Sequence, residues 1–463
     1  MNIIIRKNFS KIFYFFIFFL FFFHEVILIQ DTGSYIKNIY KRPFLYPFII
    51  NIFELISATA FLKLLSIFQL ILGYICLIYF SFFFIKKFNI NNILYHIILI
   101  FTVAYPYLGI SMKLGLTIFS ESIGYPLILL FSVVFIKNYF FFKEVKGKKY
   151  FIFLMILLAL MVLNKKTFLI VLPVILLGEI YNLFINKKIK FFLINVLIIL
   201  TTIFLINIVE RTNSYIKYGV FKPISVGGSS YLTGPFYLAT DEDLKKITGD
   251  ENRKIIQFAL LSFKKDNMER NIISKSGNDI LSYSKNNRKI FSNYYSQYVY
   301  MQDLFENKVS KHEFFGLDKK DELLARELSS KHCAQIAFQL IKLKPKENLI
   351  FYVTNIIYGM GGYFISRDDL RGFYANVGFA GFFILILQIL VLLICVISLS
   401  KNTNKQLQSI SCIILFFFVL NLINCLTTAL FTPVYDRYSF YTFQMVFFSI
   451  SLIFILFFDK KRI

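Results

Sequence analysis

Residues 190–209 read KFFLINVLIILTTIFLINIV, twenty positions with a single charged residue, Lys190, at one edge. A hydrocarbon layer ~30 Å thick is crossed by ~20 predominantly apolar residues in one helix. No water reaches the backbone there, so every N–H and C=O must be satisfied inside the segment, which a helix does. A β-barrel would show short segments of alternating polarity instead. The stretch therefore reads as a transmembrane helix, and the signature recurs on both sides of it. Working outward, spans are expected at 12–30, 64–85, 93–107, 118–136, 150–163, 167–185, 190–209, 377–399, 407–430 and 440–458. The expected fold class is an all-α polytopic membrane protein with about ten transmembrane helices and an outer-face α-rich segment.

The whole chain agrees with this reading. Of its 463 residues 57% are hydrophobic, including 59 Phe and 29 Tyr. The net charge is +24, and the basic residues collect at span ends: Arg6/Lys7/Lys11, Lys86/Lys87, Lys137–Lys149, Lys187/Lys188/Lys190, Lys401/Lys405 and Lys460/Lys461/Arg462. Short loops rich in Lys and Arg stay cytoplasmic. An even number of spans then puts all these ends and both termini in the cytoplasm of a multi-pass plasma (inner) membrane protein. No basic-aromatic module stands outside the spans, so nucleic acid is not expected as a partner. The first span has basic residues before it and no small-residue cleavage site after it, so it reads as a retained anchor.

Three regions follow: an N-terminal transmembrane region, 1–209; a polar outer-face domain or loop, 210–348; and a C-terminal transmembrane region, 349–463. The middle region holds 17 of the 27 acids. Within it 321–343 reads as an amphipathic helix with Leu324, Leu328, Ile336, Leu340 and Leu343 near one face, ended by Pro345. Its single cysteine, Cys333, has no disulfide partner there. The five cysteines and four histidines show no metal-ligand spacing, so no metal-ligating residues are assigned and no cofactor is expected. Seven of the remaining acids, Glu25, Asp31, Glu54, Glu121, Asp368, Asp369 and Asp436, fall at outer span ends or in outer loops. Charge is tolerated at helix ends, but acids near a bilayer gathered on one face also suggest function.

The motifs lie on that face. The first outer loop reads Asp31-Thr-Gly-Ser-Tyr35, then Lys41-Arg42-Pro43-Phe-Leu-Tyr46-Pro47. Ser120-Glu121 opens the fourth span, Lys165-Lys166-Thr167 sits between two closely spaced spans, and Asp436-Arg437-Tyr438 precedes the last. In this order the motifs resemble the C-type membrane glycosyltransferases (GT-C). These include the protein O-mannosyltransferases, the lipid A aminoarabinose transferases and the lipopolysaccharide-core transferases. The first loop departs in having one clear acid where the family has a pair.

The resemblance implies transfer of a sugar from a polyprenyl-phosphate donor to a lipid, glycan or protein acceptor, beside membrane lipids. Such a reaction needs a base for the acceptor proton and cations for the departing phosphate. Asp31 would be the base and Glu121 the second catalytic carboxylate, orienting a sugar hydroxyl or pairing with a lysine. Tyr35, Arg42, Lys165, Lys166 and Arg437 would bind substrate; each cation also suits an interfacial anchor. Tyr35, Tyr46, Tyr105 and Tyr125 fit an interfacial belt, and His24-Glu25 falls inside the expected first span. Asp241-Glu-Asp243 has the DxD form of nucleotide-sugar transferases, but on this topology it faces away from the cytoplasm and reads as solvated surface. A flippase or transporter would place charge near the bilayer midplane and show repeated halves, and neither is found. A glycan polymerase or ligase on lipid-linked substrates differs only in the motifs.

Overall fold

The computed structural model describes residues 15, 19, 24–28, 32–36, 43–90, 92–108, 114–141, 147–222, 228–266, 297–298, 300–318, 321–361, 386–393, 395, 405–430 and 436–458. Among these the chain is all-helical. The one β feature is an isolated parallel bridge between Ile27 and Thr117. The chain forms two compact units: Met1–Ile224 with Phe382–Asn424 and Phe440–Ile463, and Ser225–Gly381 with Cys425–Ser439.

The first unit contains α1 (Thr32–Ile36), α2 (Leu45–Ile56), α3 (Phe61–Lys87), α4 (Ile93–Leu108), α5 (Glu121–Tyr139) and α6 (Gly147–Asn164). A 3₁₀ turn, Lys166–Ile170, then runs into α7 (Val171–Asn186), which is followed by α8 (Ile189–Tyr218). Among the described residues five helices are long and apolar enough to cross a bilayer: Phe61–Lys87, Glu121–Tyr139, Lys166–Asn186, Ile189–Tyr218 and Gln408–Ala429. Shorter apolar helices lie at Leu45–Ile56, Ile93–Tyr107, Lys149–Asn164 and Gln444–Leu456.

Packing in this unit inverts the soluble pattern. The buried stripe of α3 carries Ser66, Gln69, Gly73 and Ser81 among its apolar residues, while Ile71 and Ile75 lie exposed. With lipid on the outside, the packed face is marked by small and polar residues, not by hydrophobicity. The opposite extremes are α5, with 17 of its 19 residues buried, and α8, whose Leu193, Leu197, Leu200 and Phe204 are all exposed. α5 is thus the hub of the unit. Aromatic rings fasten the C-terminal helices α14 (Lys405–Ala429) and α15 (Asp436–Phe458) to it and to α3. Phe416 stacks on Phe135 at 4.3 Å, and Phe448 meets Phe80 and Phe84 edge-on at 4.9 and 4.8 Å.

Two expectations need correction here. His24-Glu25 is not inside a membrane helix. Residues 24–28 are irregular, and Ile27 pairs with the 116–118 segment through Ile27 N–H to Leu116 C=O (2.9 Å) and Ile118 N–H to Ile27 C=O (3.1 Å). Hydropathy alone cannot register a backbone that leaves the helix to bridge another segment. Tyr35, Tyr46 and Tyr125 are not belt residues either, being 1%, 0% and 0% exposed. Each has a hydroxyl partner in the interior, so burial costs them no unmet hydrogen bond.

The second unit contains α9 (Gly228–Leu238), α10 (Asp241–Lys245), α11 (Asp250–Lys265), α12 (Glu322–Leu343) and α13 (Pro345–Gly361). It has its own apolar core, in which Phe236, Ile255, Met301, Phe305 and Ile336 are buried. The expected helix at 321–343 is present and ends before Pro345, but it turns a different face inward. Leu324 and Leu343 are exposed, and the buried residues are Ala325, Ser329, Cys333, Ile336, Ala337 and Leu340. Small residues are needed there because α9 comes close: a Cβ on Gly228 would stand 1.8 Å from the Ser330 carbonyl oxygen.

The DxD sequence has a structural task. Thr240 and Asp243 form a reciprocal capping box at the start of α10, and Lys344 Nζ lies 3.0 Å from Asp243 Oδ2. Burial alone would raise the Asp243 carboxyl, but the Thr240 hydroxyl and N–H and the Lys344 ammonium outweigh it and hold the group below its usual value. A lowered native pKa gives stability that is complete above the unfolded value of ~3.9 and is lost as pH falls through the native one. Asp243→Ala is expected to cost about 1 kcal/mol at neutral pH through the lost cap. The gap in thermal unfolding between wild type and variant should narrow below about pH 4. A gap unchanged at pH 3 would show that the carboxylate charge is not what stabilises the cap.

Candidate functional site

Three segments distant in sequence meet at the N-terminal end of α5. The loop leading into α5 is fixed first. Its backbone bridges Ile27, Gly115 C=O accepts from Ser66 Oγ at 2.7 Å, and Ser122 Oγ donates to Thr117 C=O at 2.8 Å. The segment 32–36 docks on this frame as α1: Thr32 Oγ1 donates to Ile118 C=O at 3.0 Å, and Tyr35 OH lies 2.9 Å from Ser120 Oγ. The third segment is the junction between α6 and the 3₁₀ turn, where Asn164 Nδ2 donates to Ser120 C=O at 2.8 Å. Gly124, one turn into α5, admits that junction. A Cβ there would lie 2.5 Å from Phe168 ring carbons and 3.3 Å from Asn164 Nδ2.

At the centre is Glu121, fully buried. Lys165 Nζ lies 2.5 Å from Oε1, and Ser120 Oγ donates to Oε2 at 2.9 Å. A serine hydroxyl has one proton. With Ser120 donating to Glu121, Tyr35 must donate to Ser120, so the protons run in order from Tyr35 through Ser120 to the carboxylate. The carboxylate also sits in the first turn of α5, where the helix dipole favours negative charge. Tyr46 stands edge-on to Tyr35 at 4.9 Å, and its hydroxyl accepts from Gln69 Nε2 at 2.6 Å. Of the two roles open to Glu121, pairing with a lysine is the one seen.

Lys166 points to a different acid, Glu210 on α8, at 3.1 Å. Consecutive lysines are thus held by carboxylates on two helices, α5 and α8. Asp31 and Arg42 lie outside the described residues. Ile27, four positions before Asp31, and Thr32, directly after it, are both tied to the 116–118 segment that leads to Ser120-Glu121. Arg437 is on the first turn of α15, in the second unit, and its side chain lies outside the described residues. Among the described residues no three His, Cys, Asp or Glu side chains come together as a metal site.

Sequence reading missed Glu210, Asn164 and Gln69. Glu210 had been counted as the first residue of the polar middle region. Gln69 is the one amide inside the 64–85 run, and Asn164 closes another apolar run, so both stood out as isolated polar residues in spans. No protein-family model, curated protein or solved structure matches this chain.

Proposed function

We propose that this protein is an integral plasma-membrane glycosyltransferase that moves a sugar from a polyprenyl-phosphate carrier to a lipid, glycan or protein acceptor at the outer face. The observation that carries this reading is the convergence of the first loop (Thr32, Tyr35), Ser120-Glu121 and Lys165 on one buried hydrogen-bonded chain. Nothing in a scaffold helix bundle requires three family-like motifs, joined by contacts that each bridge 44 to 86 residues, to meet. In the reaction the bond from the sugar C1 to the carrier phosphate oxygen breaks and one from C1 to the acceptor oxygen forms. The acceptor proton passes to Asp31, and polyprenyl phosphate leaves toward the cations of the site, with Lys165, Lys166 and Arg42 as its candidate partners. The paired Glu121 fixes Lys165 and, through Ser120 and Tyr35, the loop that carries Asp31.

The test uses purified protein, radiolabelled undecaprenyl-phosphoryl glucose, mannose or galactose, and a membrane extract as acceptor source. Release of undecaprenyl phosphate with label in a new glycosidic bond is expected. Transfer from a nucleotide sugar without any lipid carrier would overturn the proposal. Movement of the intact lipid-linked sugar across vesicles with no new bond would assign a flippase instead.

The proposal includes ten spans, cytoplasmic termini and an outer-face 210–348, following from the basic loops. Cys333 would be the natural probe, but it is fully buried, and burial pushes its thiol up to about 12. Gly249 is no better, because its φ of +93° strains any other residue. Asp250, fully exposed on the first turn of α11, takes a cysteine freely. Asp250→Cys should react with an impermeant maleimide on intact cells; reaction only after the cytoplasmic side is opened would reverse the orientation.

A further inference from the structure

Toward the C-terminal end of α8 lie buried polar atoms with no hydrogen-bond partner among the described residues. Glu210 Oε2 faces Lys166, while Oε1 is buried with no hydrogen-bond partner among the described residues. One turn later Ser214 is 3% exposed, and its hydroxyl also has none among the described residues. The rest of α8 shows the contrast. Thr201 and Thr202 donate back to the carbonyls of Leu197 and Ile198, at 2.9 and 2.8 Å. That outlet four residues back is the usual one for a helical hydroxyl, and Ser214 does not take it. Residues four apart share one helix face, ~5–6 Å between Cβ atoms. An open carboxylate oxygen and an open hydroxyl therefore lie side by side, and buried polar groups of this kind persist where something outside the chain completes them.

Their chemistry selects the ligand. A carboxylate oxygen repels a phosphate and accepts from a hydroxyl, and serine both donates and accepts. The pair suits a neutral polyol. It adjoins the candidate site directly, because Lys166, which holds Glu210, follows Lys165, which holds Glu121. Resting on the glycosyl-transfer reading, we infer that Glu210 and Ser214 form the subsite that takes ring hydroxyls of the sugar on the lipid carrier. The phosphate is left to the cations.

The experiment compares binding of bare undecaprenyl phosphate with that of undecaprenyl-phosphoryl glucose, mannose and galactose to the full-length protein in nanodiscs. Wild type should prefer at least one glycosylated carrier to the bare one. Ser214→Ala and Glu210→Gln should each lower that preference about tenfold, as expected when a hydroxyl-recognising group is removed. The melting temperature of Ser214→Ala should stay level or rise, because no bond within the fold is lost. A Ser214→Ala variant with a lowered melting temperature and the wild-type preference would show that the hydroxyl bonds inside the protein or to trapped water, and the subsite would be wrong. Equal binding of bare and glycosylated carriers by wild type would overturn the subsite while sparing the transfer reading. Binding of neither would overturn both.

Discussion

Lys165→Met should sharply reduce the amount of folded protein in the membrane. Glu121 is fully buried and the Lys165 side chain 13% exposed, so the pair sits in a medium that screens little. Removing the ammonium leaves a buried carboxylate without the cation that pairs with it. Breaking one side of such a pair costs about 3–5 kcal/mol, a large share of the ~5–15 kcal/mol that holds a typical domain together. Removing both charges is a different matter, since a buried pair replaced by neutral groups of similar shape is often tolerated. The double variant Glu121→Gln/Lys165→Met should therefore recover most of the abundance and melting temperature lost in Lys165→Met. Wild-type abundance and melting in Lys165→Met would mean that the pair is not buried as described. In the recovered double variant, transfer can be measured apart from folding, and it should remain poor because the cation proposed to bind the phosphate is gone.

The pairing shows where sequence reading stops. α3 and α7 were legible because long apolar runs with basic ends leave a helix little choice. α2 was not: Arg42-Pro43 and Tyr46-Pro47 read as loop, and its twelve residues are too few to span a bilayer. Yet Pro47 falls in the first turn, where its missing N–H costs little. On α12 the extent was legible and the buried face was not, because the close approach of α9 rewards Ala325, Ser329 and Cys333 over Leu324. The site behaved likewise. Ser120-Glu121 and Lys165-Lys166 were visible as charge at span ends, but which lysine meets which acid depends on contacts across 44 residues, and no local pattern encodes them. Glu210 was invisible for the same reason, since at a span boundary it looks like any first loop residue.

Asp31→Asn should lower the transfer rate by about 10²–10⁴-fold, the usual worth of a general base, with little change in abundance. Asparagine keeps the shape and still hydrogen-bonds, and it favours the same turns and caps as aspartate. What it loses is the capacity to take a proton at neutral pH. The anchors on either side should survive the change, since Ile27 holds the 116–118 segment through its backbone and Thr32 through its own hydroxyl. The loop should therefore stay docked, and a fall in rate would report chemistry. Glu54→Gln is the matched control: Glu54 is exposed on α2, and its loss should leave the rate within about twofold, as for surface changes in general. Full activity of Asp31→Asn at normal abundance would remove Asp31 as the base. Glu25 would then be the next acid to test, because it is exposed beside the same 116–118 anchor, whereas Glu121 is committed to Lys165 and Ser120.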